Sequence, residues 1–223
     1  MTDDISIIGE VIEASTSEFA AESRTLHAPP SFGSFVKVLL AQGEIEHPTS
    51  NKVEDKVMDD PFDESICTLQ PAVYAIVHQA STGPVDSSRR LRAYWKDEQE
   101  LNDEQPELAE WLLVTDFHAT IIGHSCSSGV RQFLPPQPPK LHAFVYPCMP
   151  EEIRVITSRM DFLRTLSNSQ TAQSEEIIAA CIREAYAASG GNFNFLVAAG
   201  KELASLLKDD YDRLHAIMRR VAP

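Results

Sequence analysis

"AVYAIVHQA" occupies residues 72–80. In an extended chain successive side chains point to opposite faces, which separates Val73, Ala75 and Val77 from Tyr74, Ile76 and His78. Apart from the histidine, both sets are apolar or aromatic. A sheet with one face in water would carry polar residues on that face. The stretch therefore predicts a strand of a closed barrel, with one face filling the lumen and the other covered by a second layer.

The same period of two recurs on either side. Ile5–Ala14, Glu18–Leu26, Phe35–Ala41, Leu112–Ser125 and Val130–Phe133 join Ala72–Ala80 as expected strands. Gly9, Gly33, Gly83, Gly123 and Gly129 mark expected bends or bulges between and within them. Two acidic stretches interrupt the pattern. "EIEHPTSNKVEDKVMDDPFDES" (44–65) reads as an exposed loop, and "WKDEQELNDEQPELAEW" (95–111) as a loop holding a short solvated helix. Each is either a solubilising face or a dock for a basic partner.

The period changes after "LPPQPPKLHAFVYPCMP" (134–150), whose prolines favour an extended connector. Pro150 suits a first helical turn, with Glu151 and Glu152 near the positive helix end. Ile153, Ile156, Met160 and Leu163 then share one helical face. Ser174 is placed to cap a second helix with Ile177, Ile178, Cys181, Ile182 and Ala185 inward, and Gly190–Gly191 end it. A third helix runs from about Asn194 with Leu196, Ala199, Leu203, Leu206 and Leu207 inward. Asp209 and Asp210 separate it from a last helix carrying Tyr211, Leu214, Ile217 and Met218. The expected class is α+β: a small N-terminal antiparallel β-barrel (residues 1–147, with the acidic insertions), then an α-helical bundle (148–223). The chain contains no evident internal repeat.

At 223 residues, 43% apolar and 23% charged, the composition is that of a globular protein. No apolar run approaches the ~18 residues of a membrane helix, so no membrane insertion is expected. The opening "MTDDIS" is acidic where a secretory signal is basic, which makes a cytoplasmic location the expectation. Cys67, Cys126, Cys148 and Cys181 are dispersed without a C-x-x-C pair, as befits reduced, partly buried thiols. The net charge of −14 is uneven. Residues 1–149 carry ten Lys/Arg against 23 Asp/Glu, and residues 150–223 nine against ten. An acidic first part repels phosphate backbones, so strong nucleic-acid binding is not expected.

Fragments that invite an enzymatic reading fail on spacing. "GK" at 200–201 lacks the glycine at 195 and the Ser/Thr at 202 of a phosphate-binding loop; Phe195 and Glu202 stand there. "GHSCS" (123–127) ends in Ser127 where a nucleophile elbow needs glycine. Cys126 with His118 or His124 has no visible means of lowering the thiol pKa. His118 and His124 on one strand would lie ~20 Å apart, too far to share a metal, and Asp116 with His118 gives only two ligands. Accordingly no catalytic residue, cofactor or metal site is expected. "RRLR" (Arg89, Arg90, Arg92) is the one basic cluster of the first part, either a solvated loop or a contact for an anion or partner. Phe193, Phe195 and Tyr211 are either core of the helical part or apolar anchors for a partner.

"IGEVIEASTSEF…FGSFVKV", "VYAIVHQASTGPVDSSRRLR" and "ATIIGHSCSSGVRQFLPPQPPKLH" resemble the HAS-barrel family, named for the HerA-type DNA-pumping ATPases and the ATP synthase head subunits. The resemblance covers about residues 5–142. It implies a small antiparallel barrel used in assembly, which in HerA-type proteins precedes a motor, helps order the ring and contacts a nuclease. This chain has no Walker A lysine and no room for the motor; its last 74 residues, "DFLRTL", "EEIIAACIREAY" and "FLVAAGKELASLLKDDYDRLHAIMRR" among them, resemble the tail of stand-alone bacterial members. The expected role is a non-catalytic assembly or adaptor protein with a protein partner, either a ring ATPase or a second copy of itself. The alternative is an accessory subunit of a HerA-type DNA-processing ATPase with weak nucleic-acid contact through "RRLR" and "RLHAIMRR".

Overall fold

The computed structural model describes residues 6–40, 70–86, 88, 91, 93–96, 98–104, 112–126, 129–168 and 174–221. The acidic stretch 44–65, Cys67 and the three arginines of "RRLR" lie outside the described residues. The class is α+β, and six antiparallel strands close a barrel. In chain order the strands are β1 (Gly9–Ala14), β2 (Glu18–Ser23), β3 (Phe35–Leu39), β4 (Ala72–Pro84), β5 (Leu113–Cys126), β6 (Gly129–Arg131) and β7 (Phe144–Pro147). The ring runs β1–β2–β5–β4–β3–β7 and back to β1, and β6 pairs with the end of β5 beyond β2.

The closing strand, β7, lies inside the proline-rich stretch that its composition marks as a connector. Four residues, "FVYP", suffice: Val145 pairs with Gly9 on one side and Val38 on the other. Proline is tolerated here because Pro147 ends the strand, where no ladder hydrogen bond is lost.

As the alternation in β4 requires, two separate clusters form on its two sides. Val73, Ala75 and Val77 join Phe19, Phe117 and Ile121 in a buried cluster inside the barrel. Tyr74 and Ile76 face outward with Phe35 of β3 and Ile122 of β5, and helices bury them.

Five helices follow the barrel: α2 (Pro150–Ile156), α3 (Phe162–Asn168), α4 (Ser174–Ala188), α5 (Phe193–Leu206) and α6 (Tyr211–Val221). Within the 95–111 stretch, α1 (Glu98–Glu104) is the expected short helix. The central helix, α4, touches α2, α3, α5 and α6, and its expected inward residues are all buried. The single expected face Ile153–Leu163 is instead divided between α2 and α3. Gln132 accounts for the break: its Nε2 donates to Ile156 O (2.5 Å) and Arg159 O (2.8 Å), while its Oε1 accepts from Phe162 N (2.8 Å). One distant amide thus satisfies backbone groups at the end of one helix and the start of the next.

Four contacts fix the helices to β3 and the turn before it. The turn before it bears Gly33 at φ 84°, and a Cβ there would meet Ala180 Cβ of α4 at 2.4 Å. Phe35 N donates to Glu184 Oε1 (3.4 Å), and the Phe35 ring meets Phe162 edge-on at 6.3 Å. Lys37 Nζ, almost fully buried, pairs with Glu152 Oε1 of α2 at 2.5 Å, while Glu152 Oε2 accepts from Met149 N.

Lys37→Met leaves a buried carboxylate without its cation and should lower unfolding free energy by about 3–5 kcal/mol. Adding Glu152→Gln, which retains the cap, should restore most of that loss in urea titrations. Gly33→Ala should cost more than ~2 kcal/mol, from positive φ and the Ala180 contact together. Ala180→Gly in the same chain should relieve only the closest contact, because Ala180 C and Cys181 N stay 3.1 and 3.2 Å from the new Cβ and a glycine inside α4 itself costs about 1 kcal/mol.

Candidate functional site

Helices cover β3, the first half of β4 and the end of β5, while β1, β2 and β7 each carry exposed residues on the barrel wall. Two places on it gather polar groups.

The larger is a groove of about 540 Å³ over β1, β2 and the start of β7, lined by Ile7, Gly9, Glu10, Ile12, Glu22, Ser23, Arg24, His142 and Phe144. A bulge shapes it. The register of β1 against β2 slips between Val11 and Glu13, so Ile12 is the extra residue and stands 40% exposed. Bulges re-aim side chains in this way. Phe144, 46% exposed, is the register partner of Glu10 across β7. At the rim His142 adopts φ 64°; its N donates to Val11 O (2.9 Å) and its Nδ1 lies 2.7 Å from Glu10 Oε1.

The smaller place is centred on histidines. A slip in β4 between Val77 and Gln79 makes His78 a bulge residue, buried, with Thr120 Oγ1 hydrogen-bonded to its Nδ1 at 3.1 Å. The His118 ring lies 6.1 Å away and borders a cavity of about 130 Å³ with Glu13 and Glu18. Burial pushes the His78 pKa below its ordinary value of 6.5, opposed by Glu18 and assisted by His118. Asp116 is pushed up, again chiefly by burial. Among the described residues no three His, Cys, Asp or Glu side chains are grouped to hold a metal ion.

His124 points elsewhere: its ring is buried, with Nδ1 3.2 Å from Phe133 O and the Phe133 ring edge-on. The Cys126 thiol donates to Gly129 O across the β5–β6 turn (3.5 Å). Cys148 and Cys181 are buried, and burial pushes both thiols up in pKa. Tyr74 is raised to about 12, mainly by burial. Such groups are poor nucleophiles at neutral pH.

The aromatic residues singled out in the sequence part ways. Phe195 is half-buried against the helical core. Phe193 and Tyr211, the first residues of α5 and α6, are each 69% exposed, because their positions precede the turns that reach the core. At the basic C-terminal helix, Arg213 Nη2 donates to Ser174 Oγ (2.7 Å), and Arg220 pairs with Glu176 (2.5 Å). Sequence reading missed the groove entirely, since its far wall is β7. The traceable signal was the apolar pair Phe144–Val145 between prolines.

Compared with protein-family models and with curated proteins, the chain gives no match. Among the described residues no helix is long and apolar enough to cross a membrane.

The buried neutral His78 sets a sign for pH dependence. The unfolded chain binds a proton at higher pH than the folded one. Stability is therefore full above about 6.5 and falls as pH drops through that value toward the lower folded-state pKa. His78→Gln should flatten this fall in melting temperature between about pH 7 and pH 5. A slope unchanged by the substitution would assign it to other groups.

Proposed function

We propose that the protein is a non-catalytic assembly or adaptor protein of HAS-barrel type, holding a protein partner through its barrel wall and helical bundle. The observation that carries this reading is the division of the barrel surface. The lumen holds a buried apolar cluster drawn from all six strands of the ring, with no polar group in it to orient a ligand. One side of the wall is sealed by helices, and the β1–β2–β7 side is left open with a groove and two exposed hydrophobic residues, Ile12 and Phe144. Such a barrel recognises other molecules by its outer face and loops. The sequence resemblance of residues 5–142 supports the same role, and the buried, high-pKa thiols weigh against nucleophilic catalysis.

The nucleic-acid alternative is less well supported. Arg213 and Arg220 are engaged by Glu175 and Glu176 rather than presented as a stripe, and the barrel part carries most of the negative charge.

The test is Ile12→Thr with Phe144→Thr, which removes apolar surface without setting another carboxylate opposite Glu10, and the melting temperature of the variant checks that it folds. Sedimentation of the pure protein and native mass spectrometry of the tagged protein from its own cells should show a complex, with itself or a partner, that the variant loses. A wild-type chain that stays monomeric, carries no partner and turns over a metabolite would overturn the reading.

A further inference from the structure

We infer that the β1–β2–β7 groove receives a lysine or arginine side chain borne on an apolar segment of the partner, its cation seated between Glu10 and Glu22. This rests on the assembly reading above and adds the chemistry of the partner.

Glu10 and Glu22 are direct register partners on adjacent antiparallel strands. Their Cβ atoms are then about 4.5–5.5 Å apart, and like charges so placed repel. Glu10 has the exposed His142 ring beside it, whereas the Glu22 carboxylate has no hydrogen-bond or ion-pair partner among the described residues. The row across three strands reads Glu22, Glu10, Phe144, and the bulge sets Ile12 next to it. Two carboxylates beside an apolar wall match a long basic side chain, whose aliphatic stem packs on apolar surface while its charged head meets the anions. His142, held at φ 64° with its ring on Glu10, is the group an incoming cation would displace or join. Arg24, two residues beyond Glu22 and also lining the groove, opposes a cation there and gives the test a second sign. The −14 net charge of the chain draws basic partners in from solution.

The probe is a fluorescein-labelled six-residue peptide with one arginine flanked by leucines, compared with the same peptide bearing glutamate. Anisotropy titrations with the full chain should show the arginine peptide binding at least ~10-fold tighter, about 1.4 kcal/mol. That advantage should shrink between about 50 and 300 mM salt. Glu10→Gln with Glu22→Gln should erase it, and Arg24→Gln should strengthen arginine-peptide binding several-fold. The double glutamine variant should melt no lower than wild type, because a repulsion has been removed. Equal binding of the two peptides, no binding of either at ~1 mM, or loss of binding only together with a lowered melting temperature would overturn the assignment. If the Ile12/Phe144 variant breaks the cellular complex while the glutamine variant changes neither complex nor peptide binding, the cation seat falls and the assembly reading stands. If neither variant alters any complex, both fall.

Discussion

The two-sided wall made by β3, β4 and β5 is the constraint on which the remaining structure depends. A barrel of six strands is narrow, and its inward row must be small or branched enough to fill it without voids. Val36, Val73, Ala75, Val77 and Ile121 meet that demand. The outward row of the same strands, Phe35, Tyr74, Ile76 and Ile122, is too apolar to face water. It forces a second layer, and α2–α4 supply it. Barrel and helices therefore share the gain from leaving water, and the helical core is completed by residues of the barrel wall.

Hydrophobic contact does not by itself fix where the helices sit, because it is non-directional. The polar ties do that. Lys37–Glu152 couples β3 to the first turn of α2, Glu184 takes the Phe35 amide, and Gln132 holds the ends of α2 and α3. Burial of these groups has electrostatic consequences. Glu184 and Cys148 are pushed up in pKa by desolvation. The perturbed titrations in this layer thus follow from packing, and those of His78 and Asp116 likewise follow chiefly from burial.

What remains uncovered is shaped by bulges. The extra residues at Ile12 and His78 each mark one of the two polar places on the wall. Such local irregularities give a regular barrel surface a distinctive feature.

The sequence by itself determined the class and much of the element list. Two-faced apolarity at 72–78 required a covered barrel strand, and the change of period with Pro150 placed the first helix, because alternation, proline geometry and capping are local properties. Tertiary structure alone decided the closure and the surface. A four-residue strand such as β7 has too little sequence to show a period, and it exists because β1 and β3 present unpaired edges to it. The break between α2 and α3 depends on an amide about 25 residues upstream. The opposition of Glu10 and Glu22, and of Glu10 and Phe144, is a matter of register between strands. Register is set by whole-sheet pairing and leaves no mark on any single segment.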